Sequence, residues 1–422
     1  MWFYVDHILV PYQRSEALRT GRPRGNLSDL YPRWLGAREL LLHGSDPYTP
    51  EMTRRIQMGY YGRVLDPHRP NDPKDQAAFA YPIYVVFILS PLIYADSATA
   101  LRVFSLLVSL LTIASIFLWR RALRYRPSWL LTAGIILLTL GSFQVLQGIK
   151  LQQISLLIAA LIAGCAAALV DGYLILAGFL LALATVKPQL GIPVAGFLAL
   201  WAIGDWRRRR SFLVSFVLFS LVLVLAGEWV LPGWITEFRH AVRAYIEYTG
   251  GNSLLQEVAG VTFGSLLSLI LILLTAILCW RVRRSEAGSR AFSWTFALVL
   301  AVTIVVIPSF ATYNHVLLMP ALLMLAPEAP ALWRTPALRV SLAVLTLAMV
   351  WPWIGSIGLS LTHLLLPRLP VENAWKVPLY TILLIPLLVL VALIYPVSSA
   401  VSEAIRQRPE SPRPAAAGNA PS

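Results

Sequence analysis

Apolar runs of membrane-crossing character dominate the chain from residue 99 onward, and the polar breaks between them are short and mostly basic. Runs at 99–119, 129–147, 152–170, 172–186, 188–203, 212–231, 259–280, 292–307, 313–327, 337–357 and 377–396 predict an all-α polytopic membrane protein of about eleven spans. The interval from Tyr173 to Ile203 is too long for one crossing. As a single helix it would run about 46 Å, against a hydrocarbon core of about 30 Å. "VKPQ", Val186 to Gln189, supplies a break, because Pro188 has no amide hydrogen and its ring clashes with the preceding turn. Two short helices then carry Lys187 to a membrane interface. There it escapes the roughly 2.5 to 3.5 kcal/mol that a lysine costs at the bilayer centre.

The first 98 residues follow a different pattern. In "GNLSDLYPRWLGARELLLHGSDPYTP", Gly25 to Pro50, Ser28 or Asp29 is positioned to cap a helix. Its apolar residues Leu30, Trp34, Ala37 and Leu41 form one stripe suited to the bilayer surface, and Gly44 stops it. "SDPY" reads as a turn capped by Asp46. Tyr81 to Ala95, "YPIYVVFILSPLIYA", is expected to re-enter or lie on the membrane rather than cross it. "MWFYVDHILV" lacks a basic start, is interrupted by Asp6 and His7, and is too short to span. The expected organisation is an external catalytic loop region over 1–98, a multi-span domain over 99–400 and a disordered cytoplasmic tail over 401–422.

Composition agrees with a membrane protein: the chain is 57% hydrophobic and only 13% charged, with mean hydropathy +0.67. The net charge of +14 does not point to nucleic acid, because the arginines cluster beside spans in "RRALRYR", "RRRR" and "RVRR" and at Arg334, Arg339 and Arg406. Such loops mark the cytoplasmic side, and eleven crossings that end inside begin outside. Cys165 and Cys279 both sit in apolar stretches, which gives neither a disulfide framework nor zinc spacing. No Gly-rich phosphate loop and no metal-ligand spacing is present, so no cofactor and no metal are expected.

"SDLYPRWLGARELLLHGSDPY" resembles the first external loop of the polyprenol-phosphate-mannose-dependent mannosyltransferases, glycosyltransferase family 87, among the type C glycosyltransferases. That loop has an Asp, an aromatic two residues on, an Ala-rich helix and a Gly before "NPY" or "DPY". "FAYPIYVVFILSPL" is similar to the family's "F-x-YPP" and leucine run, with Ile83 for the second proline, and "GFLLALATVKPQLGIP" to its "GLLLGLAALKPTP". Two stretches depart from the pattern. Where the family shows "GQxN", this chain has "QQIS", in which Gln153 matches and Gln152 and Ser155 do not. Where it shows Trp-Asp-His-His, "SFATYNHV" keeps His315 but carries Tyr313, Asn314 and Val316. The family also has a spanning helix before the acidic loop. None is evident here, so either the true start lies upstream, which would give twelve crossings, or an anchor has been lost.

The resemblance implies that Asp29 takes the proton of an acceptor hydroxyl, which displaces polyprenyl phosphate from mannose with inversion. Such help is worth about 10²- to 10⁴-fold. Lys187 is the implied partner of the departing phosphate, with Arg33 and Arg38 as further donor-phosphate contacts and Arg54 and Arg55 as others. Gln153, His315, Asn314, Asn252, Tyr48 and Tyr81 are the sugar or acceptor candidates, and Tyr245 and Tyr248 share the external loop of Asn252. Each has a plainer reading: Asp29 as an N-cap, Lys187 as a snorkelling interface marker, His315 as a structural residue, the arginines as solvated. The expected function is transfer of a hexose, read as mannose from the resemblance, from a polyprenyl-phosphate donor to a glycolipid or glycan. It would occur on the periplasmic face of a bacterial inner membrane, with the bilayer and no nucleic acid as partners. The alternatives are a lipid or small-solute transporter or flippase, for which a second broken helix is wanting, and a non-catalytic partner of a glycosyltransferase.

Overall fold

Every apolar run predicted above forms helix in the computed structural model, which describes residues 1–406 apart from 67, 309 and 367. No strand occurs among the described residues. The start of the chain is helical without being a span: α1 (Trp2–Tyr4) passes through a π turn into α2 (Val10–Thr20). Tyr4, Val5, Ile8 and Leu9 there pack against Phe143, Leu146, Val371 and Ile382. A cap follows, built from α3 (Tyr31–His43), α4 (Pro50–Tyr61) and α5 (Val85–Leu89), which ends in a 3-10 turn at Ser90–Leu92.

The bundle begins with α6 (Ser97–Ala122), capped by the Asp96 carboxylate and closed by Arg120 and Arg121 in its last turn. Then come α7 (Trp129–Gly141) and α8 (Phe143–Lys150), bent by 59° at Ser142, followed by α9 (Ile154–Val170), α10 (Leu174–Ala184), α11 (Pro188–Gly204) and α12 (Trp206–Val230). Two helices, α13 (Trp234–Thr249) and α14 (Leu254–Ala259), precede α15 (Val261–Val282) and α16 (Arg290–Val306). A 3-10 turn at Thr312–Leu318 leads into α17 (Met319–Leu332), and α18 (Pro336–Leu365) and α19 (Ile385–Arg406) complete the bundle. Among the described residues six helical segments are long and apolar enough to cross a membrane, or seven when the bent pair α7–α8 counts as one span; α9, α10, α11 and α16 are shorter apolar helices. The chain is therefore an all-helical polytopic membrane protein.

Burial sorts these helices. α9 and α16 are apolar all round and buried on nearly every side, which makes them the centre of the bundle. α12 and α15 instead expose apolar rows, Val214, Val217, Leu221 and Leu225 on one and Leu266, Leu269, Leu273 and Ile277 on the other, as lipid-facing helices do.

The predicted break at Lys187 becomes a helical hairpin. At its tip α10 and α11 approach so closely that a Cβ on Gly191 would lie 2.9 Å from the Ala184 carbonyl oxygen. At its base the Ser215 hydroxyl donates to the Ile175 carbonyl (2.7 Å), and Arg209 donates to the carbonyls of Trp201 and Arg283 (2.8 Å each). Arg121–Asp171 (2.5 Å) and Arg290–Glu328 (3.0 Å) gather the other basic loops at that same end. Lys187 thus stands at the end of the bundle opposite Arg121, Arg209 and Arg290.

Two expectations change. The apolar stripe of α3 faces protein rather than lipid: Leu30, Trp34, Ala37 and Leu40 are buried, Leu41 only partly, and Trp34 Nε1 donates to the Leu92 carbonyl (2.9 Å). The cover is the 81–95 segment, whose helical turns are too short to cross a membrane and bury Ile83, Val85, Val86 and Leu89. The tail expected to begin at 401 is helical through Arg406, and residues 407–422 lie outside the described ones.

A test of the hairpin is Gly191→Val, whose side chain collides with backbone that cannot rotate away. Overpacking of this kind costs about 1 to 3 kcal/mol. The purified variant should melt at lower temperature than wild type in the same detergent, and an unchanged melting curve would refute the close approach.

Candidate active site

Asp29 lies where the cap meets the bundle. The Tyr31 amide donates to the Ser28 hydroxyl (3.1 Å), so the serine serves the start of α3 and leaves the Asp29 carboxylate unspent. The Asp29 amide donates to the Leu151 carbonyl (2.9 Å), which ties the cap to the turn before α9. From that turn Gln153 Nε2 donates to the Asp29 carboxylate. Arg33, one helical turn on, donates to the Asp29 carbonyl, and its guanidinium lies 4.6 Å from the centre of the Tyr81 ring. Burial pushes the Asp29 carboxyl above the ordinary carboxylate range, although Arg33, Gln153 and Lys187 each favour its ionised form.

The turn that aims Gln153 requires left-handed backbone at Gln152, φ +51°. Glycine adopts this freely and glutamine does so at a cost of about 1 to 2 kcal/mol. The "QQIS" departure therefore keeps the turn and adds strain. Bonds from the Gln152 amide to the Lys150 carbonyl (2.7 Å) and the Ser105 hydroxyl (3.1 Å) help to hold it.

Lys187 is buried, with 5% of its surface exposed, and its Nζ donates to the Ser155 hydroxyl (2.5 Å). Ser155 in turn donates to Asn314 Oδ1 (2.8 Å), so one position departing from the "GQxN" pattern and one departing from the Trp-Asp-His-His pattern bond to each other. Tyr313 puts its ring 5.1 Å from the ammonium. Among the described residues no carboxylate lies within ion-pair distance of Lys187 or Arg33. With no carboxylate in ion-pair contact, the charged form of a buried amine is costly, and an anion entering beside it would relieve that cost.

These groups share a cavity of about 500 Å³. Asp29, Arg33, Tyr81, Gln153, Lys187, Tyr313 and Asn314 line it, together with Tyr60 and Asp75 of the cap and Arg239, Arg243 and Tyr245 of α13. Other candidates lie elsewhere. His315 is buried beside Phe310 with neither ring nitrogen bonded, and is not in the lining. The Tyr48 hydroxyl donates to the Tyr81 carbonyl (2.5 Å), which supports Tyr81 from behind. Arg38 donates to the Ala95 carbonyl (3.0 Å), while Arg54 and Arg55 pair with Glu51 and Glu39. Asn252 is bonded to Glu257 (2.9 Å) outside the cavity, and the Tyr248 side chain is outside the described residues.

Asp75, Tyr60, Arg239 and Arg243 were not anticipated. The 231–259 stretch, read from sequence as a loop, is mostly helix, and the helical spacing of Trp234, Phe238, Val242, Tyr245 and Ile246 was the signal for it. Asp75 sits in an irregular polar segment with no motif to mark it.

The raised Asp29 carboxyl has a consequence for stability. The native state holds this proton more tightly than the unfolded chain does, so its contribution is complete below about 3.9, the unfolded value, and is lost as pH rises through the native one. At pH 8 the ionised carboxylate therefore costs stability, and Asp29→Asn should melt above wild type, with the difference fading toward pH 4. A variant less stable than wild type at pH 8 would contradict this.

No curated protein and no solved structure matches the chain. The sequence model of glycosyltransferase family 87 matches residues 79–309, more than half of the chain. That stretch contains Tyr81, Gln153, Lys187 and α13; Asp29 precedes it and Asn314 follows it. With a polar, buried-cation cavity set in an all-helical polytopic bundle, and with this match, the chain belongs to glycosyltransferase family 87 and is a membrane glycosyltransferase.

Proposed function

We propose that the enzyme transfers a hexose, mannose in the first instance, from a polyprenyl-phosphate donor to a hydroxyl of a glycolipid or glycan, with inversion at the anomeric carbon. The observation that carries this reading is Lys187, a buried amino group with no carboxylate within ion-pair distance among the described residues, in the cavity that also holds Asp29. Asp29 accepts the acceptor's hydroxyl proton. The freed oxygen attacks the anomeric carbon, and the bond from that carbon to the phosphate oxygen breaks. The electron pair leaves with the lipid phosphate, where Lys187 stabilises the new charge. Tyr81, lying under Arg33, keeps the guanidinium in place.

The arginine-rich end of the bundle supports the sidedness. If those loops face the cytoplasm, the hairpin tip and the cavity open toward the periplasm of the inner membrane. The donor's lipid tail would then remain in the outer leaflet while its phosphate reaches Lys187.

The test follows radiolabelled mannose from polyprenyl-phosphate mannose into membrane products at matched protein levels. Asp29→Asn should lower transfer by about 10²-fold or more, the lower range of general-base help. Near-wild-type transfer by that variant would remove Asp29 from the mechanism. Lys187→Met should lower it by about 10²- to 10³-fold, as loss of one preorganised donor does. Because Asp29 must be ionised to act, the wild-type rate should rise with pH through a limb above the usual Asp range near 3.9. A rate already at its maximum at pH 4 would argue against this base.

A further inference from the structure

The cavity walls come from two bodies. Lys187, Gln153, Tyr313 and Asn314 belong to the bundle, Tyr60 and Asp75 belong to the cap, and Asp29 sits at the seam between them, where its carboxyl feels both Lys187 and Asp75. Displacement with inversion puts the attacking hydroxyl and the departing phosphate on opposite sides of the anomeric carbon. With the phosphate on the bundle wall, the attacking side is the cap wall. Resting on that donor assignment, we infer that Asp75 and Tyr60 form the acceptor subsite and that the acceptor presents a carbohydrate ring to them.

Asp75 is built to hold one oxygen still and offer the other. Its Oδ1 accepts from the Ala77 amide (2.8 Å), its own carbonyl accepts from the Tyr61 hydroxyl (2.9 Å), and Gln57 Nε2 donates to the Gln76 carbonyl (3.1 Å) next door. Ala77 is left-handed, φ +50°, a conformation that costs a non-glycine residue stability and that these bonds maintain. Asp75 is exposed at the cavity, and among the described residues no hydrogen bond or ion pair reaches its Oδ2. A fixed carboxylate oxygen of this kind accepts strongly from a sugar hydroxyl.

Tyr60 supplies the complementary surface. Its ring is braced edge-on by Tyr61, at 4.7 Å between centres, and backed by Gly25, which crosses so closely that any side chain there would overlap the ring. Gly25 has φ +74°, which also favours glycine. A braced aromatic ring beside a fixed hydrogen-bond acceptor suits a carbohydrate, which offers an apolar CH face and a polar hydroxyl edge at once. Asp75 and Tyr60 are positioning residues; the proton still goes to Asp29.

The test uses the purified full chain in lipid nanodiscs, with octyl mannoside, octyl glucoside and octyl galactoside as acceptor probes and undecaprenyl phosphate as the donor-side probe. In Asp75→Asn the amide oxygen can still accept from Ala77, so the loop is retained while the charge is lost. At least one glycoside should bind wild type, and Asp75→Asn and Tyr60→Leu should each weaken it at least fivefold with undecaprenyl phosphate binding unchanged. Lys187→Met should show the reverse. Failure of all three glycosides to bind wild type, or equal binding by Asp75→Asn, overturns the subsite. Loss of both ligands together in the Asp75 variant would mean a purely structural role and overturns it as well. Glycoside binding that depends on Asp75 while undecaprenyl phosphate ignores Lys187→Met supports the subsite and sinks only the donor assignment.

Discussion

The contact between Asp29 and the turn at Leu151 to Gln153 holds the cavity together. One backbone bond and one side-chain bond join the cap to the bundle there, and both involve the same acidic residue. A hydrogen bond is worth about 0.5 to 1.5 kcal/mol, and the Tyr84 hydroxyl adds another directional tie by donating to the Thr185 carbonyl (3.0 Å), whereas the apolar contacts between the two bodies are non-directional. The apolar packing of Trp34, Phe79 and Val85 brings the cap down onto the bundle. The polar seam then decides its register, and with it the distance from Asp29 to everything the bundle contributes.

Charge balance in the cavity runs against stability. Lys187 is withdrawn from bulk water with no carboxylate in ion-pair contact among the described residues, and Asp29 is held where burial resists its ionisation. Each group by itself would be more stable in solvent or neutralised. A site that stabilises a phosphate leaving group needs this imbalance, since a lysine already paired with a carboxylate has less to offer an incoming anion. The neutral chain Lys187–Ser155–Asn314 orients the ammonium through hydrogen bonds and leaves its charge unspent. Strain at Gln152 and Ala77 clusters around the same cavity, as is common where geometry serves chemistry.

The departures from the family pattern gain a physical meaning in this setting. Gln152 occupies a left-handed position at which glycine would be unstrained, yet the turn survives and Gln153 still reaches Asp29. Ser155 and Asn314 are 159 residues apart and bond directly. None of the three departures removes Lys187 from the cavity.

Much of the fold was legible in one dimension because hydropathy is a local property. Length and apolar content marked each helix, Pro188 marked the hairpin tip, and the arginine clusters marked the end at which the loops gather. Gly44 and the Asp46 turn followed from local backbone preference in the same way. The cavity was legible only where a residue carried a family motif, as Asp29, Gln153 and Lys187 did. Which arginine faces the cavity, Arg33 rather than Arg38, Arg54 or Arg55, depends on where α3 and α4 rotate against α5, and that is a matter of packing. Asp75 and Tyr60 carry no pattern of their own. They meet Asp29 because the cap folds over the bundle along a seam that joins residues 124 positions apart, and sequence spacing does not encode contact across such a distance.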